Sequence, residues 1–313
     1  MTTAAATTIK ARQRPGDRIF SSATVIAGSV ILAMLAAVAI FLLIESLPAF
    51  VADPSEFSGD VTNFWSYVGP LVFGTVYSAI LALIMAVPVA IGIALFISHF
   101  APRKLAQGLG YLIDLLAAVP SVVFGLWGIT VLAPLVQPFY TTLVEWFGWF
   151  LPLSGPVSGT GRTILTVSVV LAVMILPIIT AICREIFLQT PLLHEEAALA
   201  LGATRWEMIR MAVLPFGLPG IISASMLGLG RALGETMAVA MVLSPSPEVF
   251  FQLLTSQNSN TIAANIALNF PEAHGVGVNI LLATGLMLFI VTLLVNMLAR
   301  VVINSRKAFS GAN

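Results

Sequence analysis

The chain of 313 residues is 58% hydrophobic and 9% charged, and its mean hydropathy is +1.01. Because a soluble domain carries about 25% charged residues, this composition excludes a soluble fold, a disordered chain and a collagen-like chain. The charge is balanced, with 14 basic and 14 acidic residues, so there is no net attraction to nucleic acid. The single cysteine, Cys183, cannot form a disulfide within the chain. The composition therefore predicts an integral membrane protein.

Six apolar stretches are long enough to cross a bilayer as helices, which takes about 20 residues each. Transmembrane strands would be shorter and would alternate in polarity, so we predict an all-α membrane protein with six transmembrane helices. The predicted spans are 21–47, 71–100, 112–135, 163–187, 218–243 and 276–302. One six-span domain is therefore expected at 21–302, between terminal tails at 1–20 and 303–313.

The charged residues in the predicted connections differ between the two sides of the membrane. One side, which we call the basic face, carries Lys10, Arg12, Arg14, Arg18, Arg103, Lys104, Arg184, Arg205, Arg210, Arg300, Arg306 and Lys307. The opposite side, the acidic face, carries Asp53, Glu56, Asp60, Glu145, Glu248 and Glu272, with Arg162 as its basic residue. By the positive-inside rule, the basic face and both termini are predicted to be cytoplasmic.

Two connections on the acidic face are predicted to contain short helices. The segment 139–150 is rich in aromatic residues and is expected to lie on the membrane surface. The long, nearly uncharged loop 244–275 is expected to hold a helix around 261–270. That loop either receives a solute-binding protein or simply covers the outer mouth of the protein.

The connection at 189–217 on the basic face is longer and more polar than the others, and we call it the hairpin. Pro191 is suited to start a helix, and Glu196 lies where the positive end of the helix dipole favours an acid. Gly202 is placed to end that helix. A second helical stretch follows at 206–211. Such a hairpin can dock into a partner or rest on lipid headgroups, and its residues alone leave both readings open.

Two charged residues, Arg231 and Glu235, lie inside the predicted fifth span. A charge at the centre of a membrane helix costs at least about 2.5 kcal/mol, so each must face protein or water. Four residues apart, they are expected to share one helix face, where they can form an ion pair that only holds helices together. Alternatively, Arg231 lines an anion pathway, because a guanidinium presents donors that match phosphate or carboxylate oxygens. Thr236 and Ser121 are candidate hydroxyls for this pathway, although Ser121 follows Pro120 and a bend there is the simpler account.

Glycines in the same segment are expected to let a helix or ligand approach closely, either for packing alone or for a ligand as well. They are Gly228, Gly230 and Gly234.

The hairpin resembles a family motif. Glu-Ala-Ala, three residues, Gly, nine residues and Ile-x-Leu-Pro is the pattern of the permease subunits of ATP-binding-cassette importers, and the chain differs from it only at Ala212. The resemblance implies a type I importer permease fold (MetI-like), in which the hairpin is the coupling helix that seats in a cleft of the ATPase subunit. The residues that match and are implied to couple to the ATPase are Glu196, Ala197, Ala198, Gly202, Leu214 and Pro215.

A second motif narrows the resemblance. The segment 231–236, Arg-Ala-Leu-Gly-Glu-Thr, resembles the signature of phosphate importer permeases, the PstC and PstA subunits. The stretches 41–48, 86–92 and 118–128 resemble PstC more closely. The resemblance implies a subunit that forms half of an inorganic phosphate pathway around Arg231 and Glu235 in a bacterial or archaeal cell membrane. The implied partners are a second, PstA-like permease, two PstB-like ATPases and a PstS-like extracytoplasmic binding protein.

No catalytic residues, cofactor or metal site are expected. The lysines, Lys10, Lys104 and Lys307, do not follow a glycine, so the Walker motif is absent and the ATPase must be a separate chain. The three histidines are far apart in the sequence. The alternatives to a phosphate importer are a permease for another oxyanion or an amino acid, and a non-transporting membrane scaffold or sensor of phosphate status. An enzyme is the least supported class.

Overall fold

The computed structural model describes residues 15–57 and 61–307, so the basic residues Lys10, Arg12 and Arg14, and also Asp60, lie outside the described residues. Within them, six helical segments are long and apolar enough to span a membrane, which confirms the predicted number. They are Gly16–Phe50, Phe64–Phe100, Ser121–Phe147, Ile164–Leu188, Arg205–Leu233 and Val276–Val301. The helices of the first and last spans extend into the segments expected as tails.

The described chain folds into twelve α-helices, one pair of two-residue strands, and short π-helical and 3₁₀ turns. In chain order the helices are α1 Pro15–Phe50, α2 Phe64–Leu95, α3 Arg103–Ala117, α4 Ser121–Trp127, α5 Ala133–Phe147, α6 Ile164–Leu188, α7 Leu192–Ala200, α8 Arg205–Met208, α9 Leu214–Leu233, α10 Met237–Val242, α11 Ile262–Asn269 and α12 Val276–Lys307. The strands β1 Pro245–Ser246 and β2 Asn258–Ser259 pair in parallel.

Helices α2, α6 and α9 form the centre of the molecule. Glycines of α9 allow close contact with α6: a Cβ at Gly217, Gly220 or Gly228 would collide with Phe187, Ile186 or Ile179, respectively. Lipid tails are as apolar as these side chains, so helices in a membrane associate through such close packing. The peripheral α1 packs mainly against α12, where the Asn279 amide donates to the Glu45 backbone oxygen (2.8 Å) and to its Oε2 (3.1 Å).

The third span differs from the predicted 112–135. Helix α3 ends at Ala117, and the span begins at Ser121 and continues through a π-helical turn, Gly128–Leu132, into α5. Pro120 causes the break, because proline lacks an N–H and disfavours helical backbone in the residue before it. The start of the predicted span therefore belongs to α3, a separate helix packed against α6. The surface helix expected at 139–150 is wrong, because 139–147 completes the span.

The fifth span also differs from the predicted 218–243. A capping box between Thr204 and Glu207 starts α8, which continues through the π-helical turn Ile209–Val213 into α9. The wider turn accommodates Pro215, which has no N–H to bond the carbonyl four residues earlier. The second half of the hairpin and the fifth span are thus one helix from Arg205 to Leu233, not two elements. The helix then ends, and residues 234–236 separate it from α10.

The loop 244–275 is ordered and packed against the spans. It contains β1, β2 and α11, which confirms the helix predicted around 261–270. The loop backbone at Ser259 and Asn260 lies so close to Gly74 of α2 that a Cβ there would overlap it. The Thr75 hydroxyl also accepts a hydrogen bond from the Ile262 N–H at 2.9 Å. The loop therefore closes the acidic-face end of the helix bundle.

Candidate functional site

Arg231 lies in the last turn of α9, immediately before the break at 234–236. Its side chain is half-buried. The Nε atom is buried and has no hydrogen-bond partner among the described residues. A buried donor without a partner is costly, and most such groups in folded proteins are satisfied. The Nε of Arg231 is therefore a donor that the described residues leave unused.

Glu235 does not neutralise this arginine. Its side chain is 8% exposed, and its Oε1 accepts a hydrogen bond from the Ala238 N–H at 3.1 Å, which caps α10. Within the described chain, no ion pair within 4.0 Å joins Glu235 to Arg231. The expected pairing on one helix face is wrong, because the helix ends at Leu233 and the two residues no longer share a face.

The candidate hydroxyls lie near the same break. Helices α4 and α10 run side by side in the same direction: Gly125 contacts Ala238, and Gly128 contacts Val242. This register places Ser121, the first residue of α4, level with the break, and Thr236 directly precedes α10. The start of the third span and the break after the fifth span therefore lie at one depth. Non-helical backbone inside a membrane is tolerated where it is covered by protein or lines a water-filled cavity.

The face of α9 beside Arg231 carries a stripe of exposed residues at helical spacing. The stripe consists of Ser223, Leu227, Gly230 and Gly234. A Cβ at Gly230 would meet nothing within 4 Å, and at Gly234 only the Gly230 carbonyl of the same helix. The packing expected for these two glycines is not made by the residues that the structure describes, whereas Gly228 packs on α6. Apart from Leu227, the stripe consists of small or polar residues, which suit water or a second protein chain better than lipid.

Arg162 and Asn258 are structurally important residues whose roles could not be predicted from the sequence. Arg162 donates to three carbonyls at the end of α10: from Nε to Val242 (3.3 Å), and from Nη2 to Met241 (3.3 Å) and Leu243 (3.0 Å). A cation suits the carbonyl end of a helix. The buried Asn258 accepts from the Ile164 N–H at 2.9 Å and donates to nearby loop carbonyls. These residues fix the acidic-face loop to α6 and α10.

The hairpin turns as the sequence predicts. Gly202 has φ +86° and follows α7, and the two hydrogen bonds of a Schellman motif close the turn, from the Gly202 N–H to the Leu199 carbonyl (3.0 Å) and from the Ala203 N–H to the Ala198 carbonyl (3.2 Å). Glycine alone adopts this left-handed backbone without steric cost. Ala198 is buried, so part of the motif serves to fold the hairpin on itself.

The outer surface of the hairpin is apolar and uncovered. Its exposed large hydrophobic side chains are Leu192, Leu193, Leu199, Leu201, Trp206, Met211 and Phe216, of which Leu201 is 85% exposed. Of the predicted coupling residues, Glu196, Ala197, Gly202 and Pro215 are exposed, Leu214 is half-buried and Ala198 is buried. The neighbouring Glu195 contacts His99 at the end of the second span, with 3.4 Å between Oε1 and Nε2. The hairpin therefore rests on the bundle with its apolar side free.

Comparisons with known proteins agree with this architecture. Residues 88–307 match the family model described as "Binding-protein-dependent transport system inner membrane component". The chain is 45% identical over 300 residues to the phosphate transport system permease protein PstC 2 of Mycobacterium tuberculosis, covering 92% of each chain. It is 44% identical over 301 residues to the phosphate transport system permease protein PstC of Mycobacterium leprae, covering 93% of this chain and 94% of the relative.

A solved structure shows the same fold. A chain of a bacterial alginate ABC transporter, crystallised in complex with an alginate pentasaccharide-bound periplasmic protein, superposes with a TM-score of 0.61. The match covers 95% of this chain and 96% of that one at 15% sequence identity. At this identity the likeness concerns the fold alone, and it confirms the predicted importer permease fold.

Proposed function

Because the chain belongs to the binding-protein-dependent transport system inner membrane components, and within them to the PstC permeases of phosphate transport systems, we propose that it forms half of the translocation pathway of an ATP-driven inorganic phosphate importer. Members of this family are multi-pass proteins of the bacterial inner membrane and are not enzymes. The observation that carries the proposal is the unpartnered donor of Arg231 at the break in the fifth span.

Arg231 has the chemistry that phosphate requires. A guanidinium stays charged at any physiological pH and offers planar pairs of N–H donors that match two phosphate oxygens. Since Glu235 is engaged at the start of α10, no carboxylate among the described residues forms an ion pair with Arg231 within 4.0 Å. In a partly desolvated pathway such a charge attracts an anion more strongly than it does in water. Ser121 and Thr236 offer neutral hydroxyls at the same depth.

The second half of the pathway is supplied by another permease chain. The stripe of Ser223, Leu227, Gly230 and Gly234 is exposed in this chain and lies next to Arg231. A PstA-like subunit facing this stripe would enclose a passage with Arg231 in its wall. Its own side chains would complete the phosphate site.

The hairpin would pass ATPase movement to Arg231 directly. Its apolar surface suits a cleft of a PstB-like ATPase on the basic face, which the positive-inside rule makes cytoplasmic. From Arg205 to Arg231 the chain is one continuous helical segment, roughly 40 Å long at about 1.5 Å per residue. A displacement of the hairpin therefore reaches the substrate site without an intervening loop.

The transport cycle then follows from binding preferences. A PstS-like binding protein delivers phosphate on the acidic face, and ATP closes the two ATPase subunits. Closure shifts the opening from one side of Arg231 to the other. ATP drives this change only if it binds one conformation more tightly than the other. The nucleotide site belongs to the ATPase chains, since no lysine of this chain follows a glycine.

The test is uptake by the reconstituted complex. The chain would be assembled in vesicles with its companion permease, ATPase and binding protein, and ATP-dependent entry of labelled phosphate would be followed. Excess unlabelled phosphate should abolish uptake of the label, while sulfate, molybdate and an amino acid should leave it unchanged. Uptake suppressed by sulfate or molybdate instead would assign the pathway to another oxyanion. An intact complex that transports none of these would favour a scaffold or sensor.

A further inference from the structure

A cavity of about 490 Å³ lies at the basic face, away from the break in the fifth span. It is formed by the end of the second span, α3 and the end of α6. Its polar lining consists of Ser98, Arg103, Gln107, Tyr111, Asp114 and Arg184. None of these residues takes part in the pathway or in the hairpin described above, so the cavity needs an explanation of its own.

The Arg184 side chain lines this cavity, with an Nε left unpartnered by the described residues, and lies close to the backbone of α3. Its Nε is buried and has no hydrogen-bond partner among the described residues, although the cavity beside it is open. Its Nη1 lies against the backbone of Gly110, where a Cβ would collide with it. Glycine in a helix interior is destabilising relative to alanine, and at Gly110 the missing side chain leaves room for the guanidinium. The arrangement presents a cation with unused donors to the cavity.

The charges of the lining match a singly charged anion. Arg103 and Arg184 are two permanent cations, and Asp114 is the one carboxylate of the cavity. No ion pair within 4.0 Å joins Asp114 to either arginine within the described residues. The net charge of the lining is thus close to +1, which balances a phosphodiester. A phosphate dianion would be left with excess charge.

The surroundings of the cavity suit a lipid. Helix α3 exposes Leu105, Tyr111, Leu112 and Leu115 next to the cavity, and Arg184 stands near the end of a span. An amphipathic helix of this kind lies at the level of the headgroups, with its apolar side in the acyl region. Basic pockets between transmembrane helices at the membrane surface are typical sites for anionic headgroups.

We propose that this cavity binds the phosphate group of an anionic phospholipid, with Arg184 as the central donor, Arg103 as the second cation and α3 as the support for the acyl chains. Free inorganic phosphate shares the chemistry of that group and is the other source that the experiment must separate. The site is distinct from the transport pathway, and the proposal stands whether or not phosphate is the transported solute.

The experiment uses the full chain with the subunits that copurify with it, stripped of lipid in a neutral detergent. An Arg231→Gln background removes the pathway arginine, so that it does not contribute to binding. One arm titrates phosphatidylglycerol against phosphatidylcholine and counts bound lipid by native mass spectrometry. The other arm measures labelled inorganic phosphate by equilibrium dialysis. Each arm compares Arg184→Gln with Lys104→Gln, which removes a charge from the same helix end but not from the cavity lining.

Phosphatidylglycerol should bind at least tenfold more tightly than phosphatidylcholine, Arg184→Gln should remove that preference, and Lys104→Gln should change it less than twofold. Binding of inorganic phosphate alone, lost with Arg184→Gln, would overturn the lipid assignment in favour of a free-anion site. Equal effects of the two substitutions, or no effect of Arg184→Gln, would overturn the site itself. Loss of a companion subunit without any change in lipid binding would instead show that a protein surface covers the cavity, and would also overturn it.

Discussion

Two arginines in or beside the membrane, Arg162 and Arg231, have opposite surroundings. The guanidinium of Arg162 donates to three carbonyls that close the end of α10. Arg231 lies near the opposite end of the same short helix, and its buried Nε finds no partner within the described chain. Both side chains are half-buried, so exposure does not separate them. The two arginines differ in whether their guanidinium N–H groups have hydrogen-bond partners within the described residues.

This difference indicates two roles for one residue type. An arginine whose Nε and Nη2 both donate to backbone carbonyls holds the fold together, because each charge-assisted hydrogen bond contributes roughly 1.5 to 3 kcal/mol. An arginine with unused donors adds little to the stability of the fold, and its free N–H groups are available to bind a ligand. Substituting the two arginines should therefore separate stability from transport.

The largest effect is expected for Arg231→Gln. Losing two charge-assisted hydrogen bonds to phosphate would weaken transport by about a thousandfold, or about 4 kcal/mol. The unfolding midpoint should stay within the error of the wild type. Both are measured on the same preparation, as ATP-dependent phosphate uptake and as thermal unfolding in detergent. Arg300→Gln, which removes an exposed cation near the end of α12, is the matched control and should transport normally.

Arg162→Gln should give the reverse pattern. The carbonyls of Met241, Val242 and Leu243 would lose most of their donors, so the free energy of unfolding should fall by about 3 kcal/mol. Uptake per folded complex should change less than threefold. Chemical unfolding of both arginine variants under one condition provides the comparison. A variant that unfolds like wild type yet fails to transport would place Arg162 in the pathway and end the distinction.

Gly202→Ala tests whether the hairpin is the element that docks to the ATPase. Alanine at φ +86° costs roughly 1 to 2 kcal/mol, so the turn between α7 and α8 should distort. We expect binding of the ATPase to weaken about tenfold while insertion and the helix bundle remain intact. Copurification and ATPase titration measure this. Gly92→Ala, at an exposed helical position with nothing within 4 Å, is the control, and an equal loss there would refute the coupling role of Gly202.

The smallest effect is expected for Glu235→Gln. The amide oxygen of glutamine can still accept from the Ala238 N–H, so α10 keeps its cap. Stability should change by less than about 1 kcal/mol, the net contribution of one ordinary hydrogen bond. Uptake should fall less than tenfold, because this carboxylate is not paired with Arg231 in the structure. A loss as large as that of Arg231→Gln would restore the ion-pair interpretation.

The sequence predicted those features that depend on local chemistry. Six apolar stretches predicted six spans, and Gly202 predicted the turn of the hairpin, because each signal lies within one segment. The break after Leu233 was missed for the opposite reason, and at Pro120 only a bend was expected instead of a full break. Pro120 and Gly234 lie inside apolar stretches, and hydropathy averages over a single proline or glycine. The pairing of Arg231 with Glu235 failed because it assumed an unbroken helix.

The structural role of Arg162 also could not be predicted from the sequence. The carbonyls that it binds are about 80 residues away along the chain, and no side-chain pattern marks a carbonyl acceptor. Gly228, Gly230 and Gly234 were all expected to pack. Among these three, only Gly228 packs against α6 within the described residues, because packing depends on which helix face meets a neighbour. Contacts between distant segments are what the sequence leaves undetermined.

The central claim is that Arg231 stands in a water-filled anion pathway, and thiol labelling tests it most directly. The single cysteine, Cys183, is buried and would be removed by Cys183→Ser, and Arg231→Cys would then provide the only thiol. Treatment of the assembled complex with aminoethyl methanethiosulfonate places an ammonium at position 231. We predict labelling from water, slowing of that labelling by phosphate, and partial recovery of uptake. A thiol that does not react, or that reacts at the same rate with and without phosphate, would contradict the pathway.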